Sequence, residues 1–349
     1  MGRLWSVRPR LEEGECLSSW VARVAHAHGV APHKLLQSEL NWRHDFYRSS
    51  DIDRRLHVGL AELFCLRTGV SRDALFEATL ESYRGRLYRV YRHGGPQSLL
   101  VSVGVHPKAP KRCNPFCPIC LADDISPHFR KMWRVACIPL CVRHEVCLTD
   151  RCPGCDCPVN LLCRSDQDDL ADIRVCRRCG FYLPDAKPGP RASGVAGRFL
   201  VDYLSGMNAA LCSESMILPD GIIGKTWEYF SGIRALVRLF TCAHFQERMI
   251  LGERFRRQFP LWKKSFTKLS RDSRGDFEHL DSCERAEIIC WVALLVNDWP
   301  EWFIAVVRSS PVSASEFLSS ARGAPDWVRK VTRERLYKNV YYRRSSERA

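Results

Sequence analysis

Two cysteine-rich blocks with the same internal spacing constrain this chain more than any other feature. Each block has a pair of metal-binding residue types two residues apart, a gap of twenty residues, and a second such pair. The first block consists of Cys117, Cys120, Cys141 and His144, and the second of Cys152, Cys155, Cys176 and Cys179. Each pair fits one tight turn, and two turns complete a tetrahedral set of soft ligands. The spacing therefore predicts two structural Zn²⁺ sites, one with three thiolates and an imidazole and one with four thiolates.

Disulfide bonds or a different metal cluster are the alternatives to zinc, and disulfides require an oxidising compartment. The first residues, Met1 to Trp5, run straight into charged residues without a signal peptide, so we expect a reducing cytoplasm. Eleven of the 18 cysteines lie outside the two blocks. Cys137 and Cys113 lie close to the first block and leave its ligand assignment open, with Cys137 the more plausible substitute.

No catalytic motif emerges from the remaining residues. Both predicted zinc sites have four protein ligands, whereas a catalytic zinc keeps one position for water. The stretch 221–226 resembles a P-loop, but its second glycine comes two residues too early. The acids that a nuclease would need are interpreted as solvated loop residues: Asp123, Asp124, Asp166, Asp168 and Asp169. The spare histidines are interpreted as surface or packing residues: His26, His28, His33, His57 and His93. We therefore expect a binding protein and not an enzyme.

The charge distribution favours a polyanionic partner. The net charge is +14, and 46% of the residues are apolar, which indicates a globular chain. Residues 1–112 carry +7, residues 113–185 carry −1 and residues 186–349 carry +8. The longest strongly apolar stretch, 288–296, is too short to span a bilayer. We expect nucleic acid as a partner, contacted mainly by the flanking segments, and no membrane.

A second repeat, at an offset of 40 residues, lies within residues 15–80. Each copy has apolar residues at helical spacing, then Gly-Val, then a second helical pattern. Gly29 and Gly69 suit helix C-termini, Pro32 suits a first helical turn and Ser71 suits an N-cap. The matching pairs are Trp20 and Leu60, Val21 and Ala61, Val24 and Phe64, Leu35 and Leu75, and Leu36 and Phe76. The pattern predicts helix-turn-helix units, or simple helical hairpins without DNA contact.

The start of the segment 83–112, residues 83–92, interleaves four arginines with three tyrosines, and no acidic residue occurs between Ser82 and Ala122. Guanidinium groups grip phosphates, and aromatic rings stack on bases or on arginines. A solvated basic linker is the alternative interpretation. The predicted nucleic-acid contacts are Arg72, Arg84, Arg86, Arg89, Arg92, Lys111 and Arg112.

The pattern after Gly194 is helical again. The predicted helices cover roughly 195–211, 224–242, 243–257, 283–297, 299–308, 314–321 and 325–341. Capping boxes are predicted from Asp281 to Glu284 and from Ser313 to Glu316. The expected core aromatic residues are Trp291, Trp299, Trp302, Phe303 and Trp327.

The predicted fold is therefore mainly α, with small zinc-ribbon or knuckle insertions. We expect an N-terminal helix-turn-helix domain at 1–82, a basic aromatic linker at 83–112, a double zinc-binding module at 113–185, and a C-terminal helical domain with a basic tail at 186–349. The apolar pieces 132–135 and 161–163 are expected to form ribbon strands or to pack the knuckles.

Several of these motifs together resemble the TniQ/TnsD family. The opening run Glu15 to Trp20, followed by Arg23, Ala25 and Gly29, is similar to the family's acidic-Ser-Leu-Ser-Ser-Trp signature. Later motifs recur in the family's order: Cys117-Pro118-x-Cys120, Trp133-Arg134, Cys141-x-x-His144 and Cys152-Pro153-x-Cys155. The resemblance covers about residues 8–180, and Cys16 departs from it because a serine is usual there.

The resemblance implies a non-catalytic target-selection subunit of a bacterial transposition system, working in the cytoplasm at the nucleoid. Such a protein recognises target DNA or an RNA-guided, CRISPR-associated complex, and recruits a AAA+ ATPase and a transposase. The resemblance also implies two zinc ions on the eight predicted ligands and allows a homodimer. The alternatives are a stand-alone zinc-containing, sequence-specific transcriptional regulator, and a metal-dependent nuclease or recombinase.

Overall fold

Helices form most of the regular structure in a computed structural model that describes residues 4–40, 51–91, 98–101, 103, 114–163, 170, 172–241, 277–309 and 313–337. The chain forms two units. The first consists of Met1–Ser82 and His93–Arg191, and the second of Tyr83–Arg92 and Ala192–Ala349. The fold is thus mainly α, as predicted.

The 40-residue repeat forms two successive helical hairpins in the first unit. Their helices are α1 (Leu17–Ala27), α2 (Pro32–Leu40), α3 (Val58–Thr68) and α4 (Arg72–Glu77). Gly29 and Gly69 follow the first helix of each hairpin with φ of +64° and +78°, a conformation that glycine adopts without steric cost. The Ser71 hydroxyl accepts a hydrogen bond from the Ala74 amide at 3.2 Å. The predicted helices, turns and cap are confirmed.

The matched apolar positions of the repeat form one core. Trp20 and Val24 of the first hairpin are fully buried, as are Leu60 and Phe64 of the second. The rings of Trp20 and Phe64 lie 4.9 Å apart between centroids. The two copies therefore pack on each other through the same apolar positions.

The rest of the first unit consists of short elements around the cysteine blocks. They are a 3₁₀-helix (Leu80–Tyr83), α5 (Pro118–Asp123), a 3₁₀-helix (Lys131–Arg134), β1 (Leu140–Cys141), β2 (Val146–Cys147) and a 3₁₀-helix (Leu183–Asp185). Apolar residues from this region and from the hairpins belong to a single hydrophobic core. Of the two expectations for 132–135, packing is the correct one, because Trp133 is buried in a 3₁₀-helix.

The second unit is built around a central helix, Ser282–Asn297. Its elements are α6 (Gly194–Ala210), β3 (Ser215–Ile217), β4 (Ile223–Lys225), α7 (Thr226–Thr241), a 3₁₀-helix (Phe277–His279), α8 (Ser282–Asn297), α9 (Glu301–Ser309), α10 (Ala314–Ser320), α11 (Asp326–Val331) and a π-helix (Thr332–Tyr337). α6, α7 and α9 all contact α8. α8 is buried on most sides, with Arg285 and Glu287 among its buried residues and an apolar second half, as expected of a central helix.

The sequence predictions for this unit are largely confirmed. Both capping boxes form, at Asp281 with Glu284 and at Ser313 with Glu316. The antiparallel hairpin of β3 and β4, with Ile217 opposite Ile223, was not predicted. The last predicted helix ends as an α-helix at Val331 and continues as a π-helix. The predicted helix 243–257 lies outside the described residues.

The predicted aromatic core is confirmed except at one position. Trp291, Phe303 and Trp327 are buried. Trp299 stacks on Phe303 and contacts Trp327 edge-on, at centroid distances of 4.9 and 4.7 Å. Trp302 is 36% exposed, so its assignment to the core was wrong.

No single helix among the described segments is long and apolar enough to cross a membrane. The bent pair Ser282–Asn297 and Glu301–Arg308, at an angle of 117°, meets the length and composition requirement only when both helices are counted together.

Candidate metal centres

The first cysteine block closes into a four-ligand cluster, which we call centre 1. Cys117 is the N-cap of α5 and Cys120 lies in its first turn. Cys141 ends β1, and His144 lies in the turn between β1 and β2. The ligand atoms of these four residues lie within 4.8 Å of one another.

The distances in centre 1 fit a tetrahedral ion. The His144 Nδ1 atom lies 3.4 Å from the Cys117 Sγ and 3.3 Å from the Cys120 Sγ, and the Cys120 and Cys141 sulfurs are 3.6 Å apart. Zinc bonds of about 2.3 Å to sulfur and 2.0 Å to nitrogen give tetrahedral edges of about 3.8 and 3.5 Å. The set therefore fits Zn²⁺, with Nδ1 as the ligand atom of the imidazole.

The second block closes into centre 2, which consists of Cys152, Cys155, Cys176 and Cys179. The sulfurs of Cys152 and Cys179 are 3.6 Å apart, and those of Cys155 and Cys176 are 3.9 Å apart. These distances bracket the edge of a tetrahedral zinc–thiolate site, which is about 3.8 Å. Both predicted ligand sets are thus brought together.

The same backbone hydrogen bond recurs at all four ligand pairs, in an α-helix at Cys117 and Cys120 and in turns at the other three pairs. In each, the amide four residues after the first ligand donates a hydrogen bond to that ligand's carbonyl oxygen. The bonds run from Leu121 to Cys117, Glu145 to Cys141, Asp156 to Cys152 and Gly180 to Cys176, at 3.2, 2.7, 2.8 and 2.9 Å. The last three donors have φ of +56°, +53° and +76°. The backbone thus holds both side chains of each pair toward one point.

The close spacing of the thiols in the two centres favours a bound cation. Hydrogen bonds with Cys117 and then Cys141 raise the pKa of the Cys120 thiol, and burial raises the pKa of Cys152. Hydrogen bonds with Cys117 and then Cys120 lower the pKa of Cys141, so the protons are shared unequally among neighbouring thiols. A divalent ion supplies the positive charge that keeps closely spaced thiolates ionised.

The ambiguous cysteines are resolved in part. Cys137 is buried but belongs to neither cluster in the described part of the chain. Cys113 lies outside the described residues. The described cysteines are all free of disulfide bonds.

Of the two acids beside centre 1, Asp123 is solvent-exposed as predicted, but the prediction of a solvated residue is wrong for Asp124. Asp124 binds Arg130 at 2.7 Å and Arg143 at 2.8 Å, and its side chain is mostly buried. Asp123 lies 3.6 Å from the His144 Nε2 atom, the ring nitrogen opposite the ligand atom. The acids 166, 168 and 169 lie outside the described residues.

The acidic-Ser-Ser-Trp run at the start of α1 forms a buried polar network. Glu15 accepts hydrogen bonds from the Ser19 hydroxyl at 2.7 Å and from Arg23 at 2.6 Å. Ser19 in turn accepts a bond from the Phe129 amide at 3.0 Å. The Trp20 indole donates to the Pro9 carbonyl at 2.9 Å. The run therefore joins the first hairpin to the segment between the ligand pairs of centre 1.

Arg134 is the second connection between these regions. It is 1% exposed and binds Asp53 at 3.0 Å, Asp51, and the Val101 carbonyl at 2.8 Å. Asp53 also accepts bonds from the amide and hydroxyl of Ser18, at 2.6 and 2.7 Å. Sequence reasoning noted Trp133-Arg134 but missed this network, because Asp51 and Asp53 lie some eighty positions earlier in the chain.

Cys16 stands where a serine would cap α1. Its side chain makes no capping hydrogen bond, and it is 1% exposed. Burial raises its pKa well above the usual range of a thiol. Cys16 is therefore a neutral packing residue.

The predicted nucleic-acid residues divide into two groups. Arg72, Arg84 and Arg89 are exposed and Arg86 is half-buried. Arg92, Lys111 and Arg112 lie outside the described residues.

The aromatic rings interleaved with these arginines do not support the prediction that they stack on bases. Tyr83 and Tyr88 are each 6% exposed, so their rings are not available for stacking on bases. Arg89 lies over the Trp227 ring, 5.4 Å from its centroid, within the second unit.

Comparison with known proteins supports the interpretation of these motifs. Residues 6–148 match the family model TniQ. This chain carries a TniQ domain. The domain covers both hairpins, the polar network and all of centre 1, and it ends before the first ligand of centre 2. The family resemblance is thereby confirmed, and a TniQ domain fits a role in DNA transposition. No curated protein matches the chain.

Proposed function

We propose that this chain is a non-catalytic target-selection adaptor of a bacterial DNA transposition system. The observation that carries the proposal is the TniQ domain at residues 6–148, which includes a metal centre inside its core. The adaptor recognises target DNA, or an RNA-guided complex on DNA, and recruits a AAA+ ATPase regulator and a transposase. It works in the cytoplasm, at the nucleoid, either alone or as a homodimer.

Both centres hold structural Zn²⁺ in this proposal. Thiolate and imidazole ligands at these distances suit zinc, and four protein ligands leave no position for a reacting water. Structural zinc contributes folding free energy, so each ion stabilises the turns that it joins.

The phosphate-binding surface comes from the basic flanks. Arg72 and Arg84 are exposed, and the chain carries a net charge of +14. Arg86, Arg89, Arg92, Lys111 and Arg112 complete the set of proposed contacts. Cations of this kind displace condensed counterions from a nucleic acid and make its affinity depend on salt.

A pull-down of the full, zinc-loaded protein with the AAA+ ATPase encoded beside it tests the adaptor role. Target DNA is present in one sample and absent in the other. Capture of the ATPase supports the proposal. Tight binding to one DNA sequence, without capture, would instead favour the stand-alone transcriptional regulator.

A further inference from the structure

The hairpin of β3 and β4 in the second unit exposes three isoleucines to solvent. Ile217, Ile222 and Ile223 are 68%, 59% and 75% exposed. Ile217 lies directly opposite Ile223 in the antiparallel pairing. Single apolar side chains are common on protein surfaces, whereas several on one hairpin form an apolar patch, and such patches mark sites of protein interaction.

The hydrogen bonds of the hairpin leave the backbone of Ile217 open at the outer edge of β3. The Leu218 amide donates to the Ile222 carbonyl at 2.8 Å. Bonded and non-bonded pairs alternate along antiparallel strands, so the next pair, Ile217 and Ile223, is a non-bonded one. The amide and carbonyl of Ile217 therefore point away from β4, and they have no hydrogen-bond partner among the described residues.

The outer edge of β4 is less accessible than that of β3. The Lys225 amide donates to the Glu228 carboxylate at 2.9 Å, and α7 begins at the residue that follows β4. On β3, the Ser215 amide and carbonyl bond to the hydroxyl of Ser213, at 3.4 and 2.8 Å, a local contact that an incoming strand can replace. A further strand would thus add beside β3, with backbone bonds to Ile217 and Ser215.

Contacts within the second unit hold this edge in place. Leu218 is 8% exposed, and a Cβ at Gly224 would collide with it. The Thr226 hydroxyl donates to the Ser213 carbonyl at 2.7 Å, which ties the start of α7 to the segment before β3. Because the edge is ordered before a partner arrives, binding costs less conformational entropy.

We infer that β3 binds an extended segment of a partner protein by strand addition, and that this segment has β-branched residues at alternate positions and cations at its ends. The inference rests on the proposed function, because it assigns the surface with which the adaptor holds a protein. Backbone hydrogen bonds supply affinity in this mode of binding, and the side chains beside Ile217 supply specificity.

The charge of the hairpin favours a cationic protein segment over a nucleic acid. Residues 212–228 contain three acids, Glu214, Asp220 and Glu228, against one lysine, whereas residues 186–349 together carry +8. Carboxylates repel phosphates. Glu214 precedes β3 and Asp220 lies in the turn after it, and both are exposed, so they can pair with cations at the two ends of an incoming strand.

The same acids disfavour a second copy of this chain as the occupant. Two β3 strands related by a twofold axis at Ile217 would pair antiparallel and bring Glu214 of one copy near Asp220 of the other. A three-residue strand also falls far short of the roughly 800 Å² per partner that a stable dimer buries. A short linear segment fits this edge better than a folded copy does.

Binding of a fluorescent model peptide to the full, zinc-loaded protein tests the inference by anisotropy. The peptide alternates valine with threonine and carries two lysines at each end. We expect it to bind, and we expect the same peptide with N-methyl groups on the amides that face β3 not to bind. Ile217→Lys should weaken binding roughly ten-fold or more, because a lysine on a strand edge blocks pairing and repels the cationic ends. The matched control Ile222→Lys makes the same change of charge beside the turn and should retain binding.

Metal content and melting temperature of each variant exclude misfolding as the cause. Failure of the model peptide to bind would overturn the inference, as would equal losses in Ile217→Lys and Ile222→Lys or retained binding of the methylated peptide. Self-association that Ile217→Lys abolishes would assign the edge to a second copy and overturn it too.

A pull-down with the AAA+ ATPase separates the inference from the proposed function. Capture that Ile217→Lys reduces and Ile222→Lys retains supports both. Capture that Ile217→Lys leaves unchanged would overturn the inference and leave the adaptor role standing. Peptide binding at β3 without capture of the ATPase would remove the adaptor role and leave the strand site.

Discussion

Centre 1 and centre 2 have the same ligand spacing and border the same hydrophobic core, but their ligands differ in how deeply they are buried. In centre 1 the three cysteines are buried, and Phe116, beside Cys117, begins an aromatic series that continues through Phe129 to Trp133. In centre 2 only Cys152 and Cys176 are buried, while Cys155 and Cys179 are half-exposed. A repeated ligand pattern thus predicts local geometry, whereas the surrounding core decides how much of the fold depends on each ion.

The largest difference between the centres is expected when a ligand is removed from each. Structural zinc contributes on the order of 10 kcal/mol in isolated fingers. We expect Cys120→Ser to lose one zinc and to unfold the shared core of the first unit. Cys155→Ser should also lose one zinc but lower the melting temperature much less. Metal content and calorimetric unfolding provide the measurement, and equal losses of melting temperature would contradict the comparison.

The next effect concerns the ion pairs that join centre 1 to the hairpins. Arg134→Met would leave Asp51 and Asp53 buried without their guanidinium partner. Breaking a buried pair from one side costs about 3–5 kcal/mol, which chemical denaturation measures as a lower free energy of unfolding. The control Arg143→Met breaks a pair whose arginine is 56% exposed, and should lower the free energy of unfolding far less, because exposed ion pairs contribute little. A similar cost for both variants would show that the buried network does not join the two regions.

A smaller effect is expected from a methyl group placed in centre 2. A Cβ at Gly154 would lie 3.0 Å from the Phe181 Cβ and 3.2 Å from the Cys179 Sγ. We expect Gly154→Ala to cost about 1–3 kcal/mol through overpacking, and to speed release of one of two zinc ions to a chelator. Gly206→Ala is the control, because its Cβ would meet no atom within 4 Å and alanine favours a helix. Unchanged release kinetics in Gly154→Ala would contradict the tight packing.

The smallest expected effect is a change with pH in the free energy of unfolding, caused by Asp53 in the network that joins centre 1 to the hairpins. Burial raises the pKa of Asp53 to about 6, although Arg134 opposes the shift and Asp51 adds to it. Between the unfolded-state pKa of about 4 and this value, the folded chain binds more protons, so this residue's contribution to the free energy of unfolding falls as pH rises.

A comparison with Asp53→Asn isolates that contribution. Proton competition at the zinc ligands acts equally on both proteins, so the difference between their unfolding free energies should change between pH 4 and 6 and level off above. A constant difference across that window would contradict the raised pKa.

Local signals made part of this structure predictable. The ligand sets, the glycine turns and the capping boxes depend on residues a few positions apart or on a repeated spacing. Sequence reasoning missed the left-handed turn positions at Glu145 and Asp156. Glutamate has no preference for that backbone conformation, and aspartate, although enriched there, is much more often found in other conformations.

The other missed features depend on distant parts of the chain. Asp51 and Asp53 meet Arg134 only after folding, and no periodicity links them. The tyrosines at 83 and 88 looked like stacking platforms for bases, but they are buried. Arginine alternates with tyrosine both in half-buried basic segments and in nucleic-acid contacts. Composition alone therefore does not distinguish these two roles.

Because Tyr83–Arg92 belongs to the second unit, one unit cannot be exchanged between related proteins by joining their genes at a single point. The backbone passes between the units after Ser82, after Arg92 and again after Arg191. A single crossover in a gene, natural or engineered, at any one of these junctions would divide a unit or leave this segment with the wrong partner. Exchanging one unit for that of a relative therefore requires the segment to be transplanted as well, which restricts the lineages that can arise by simple fusion.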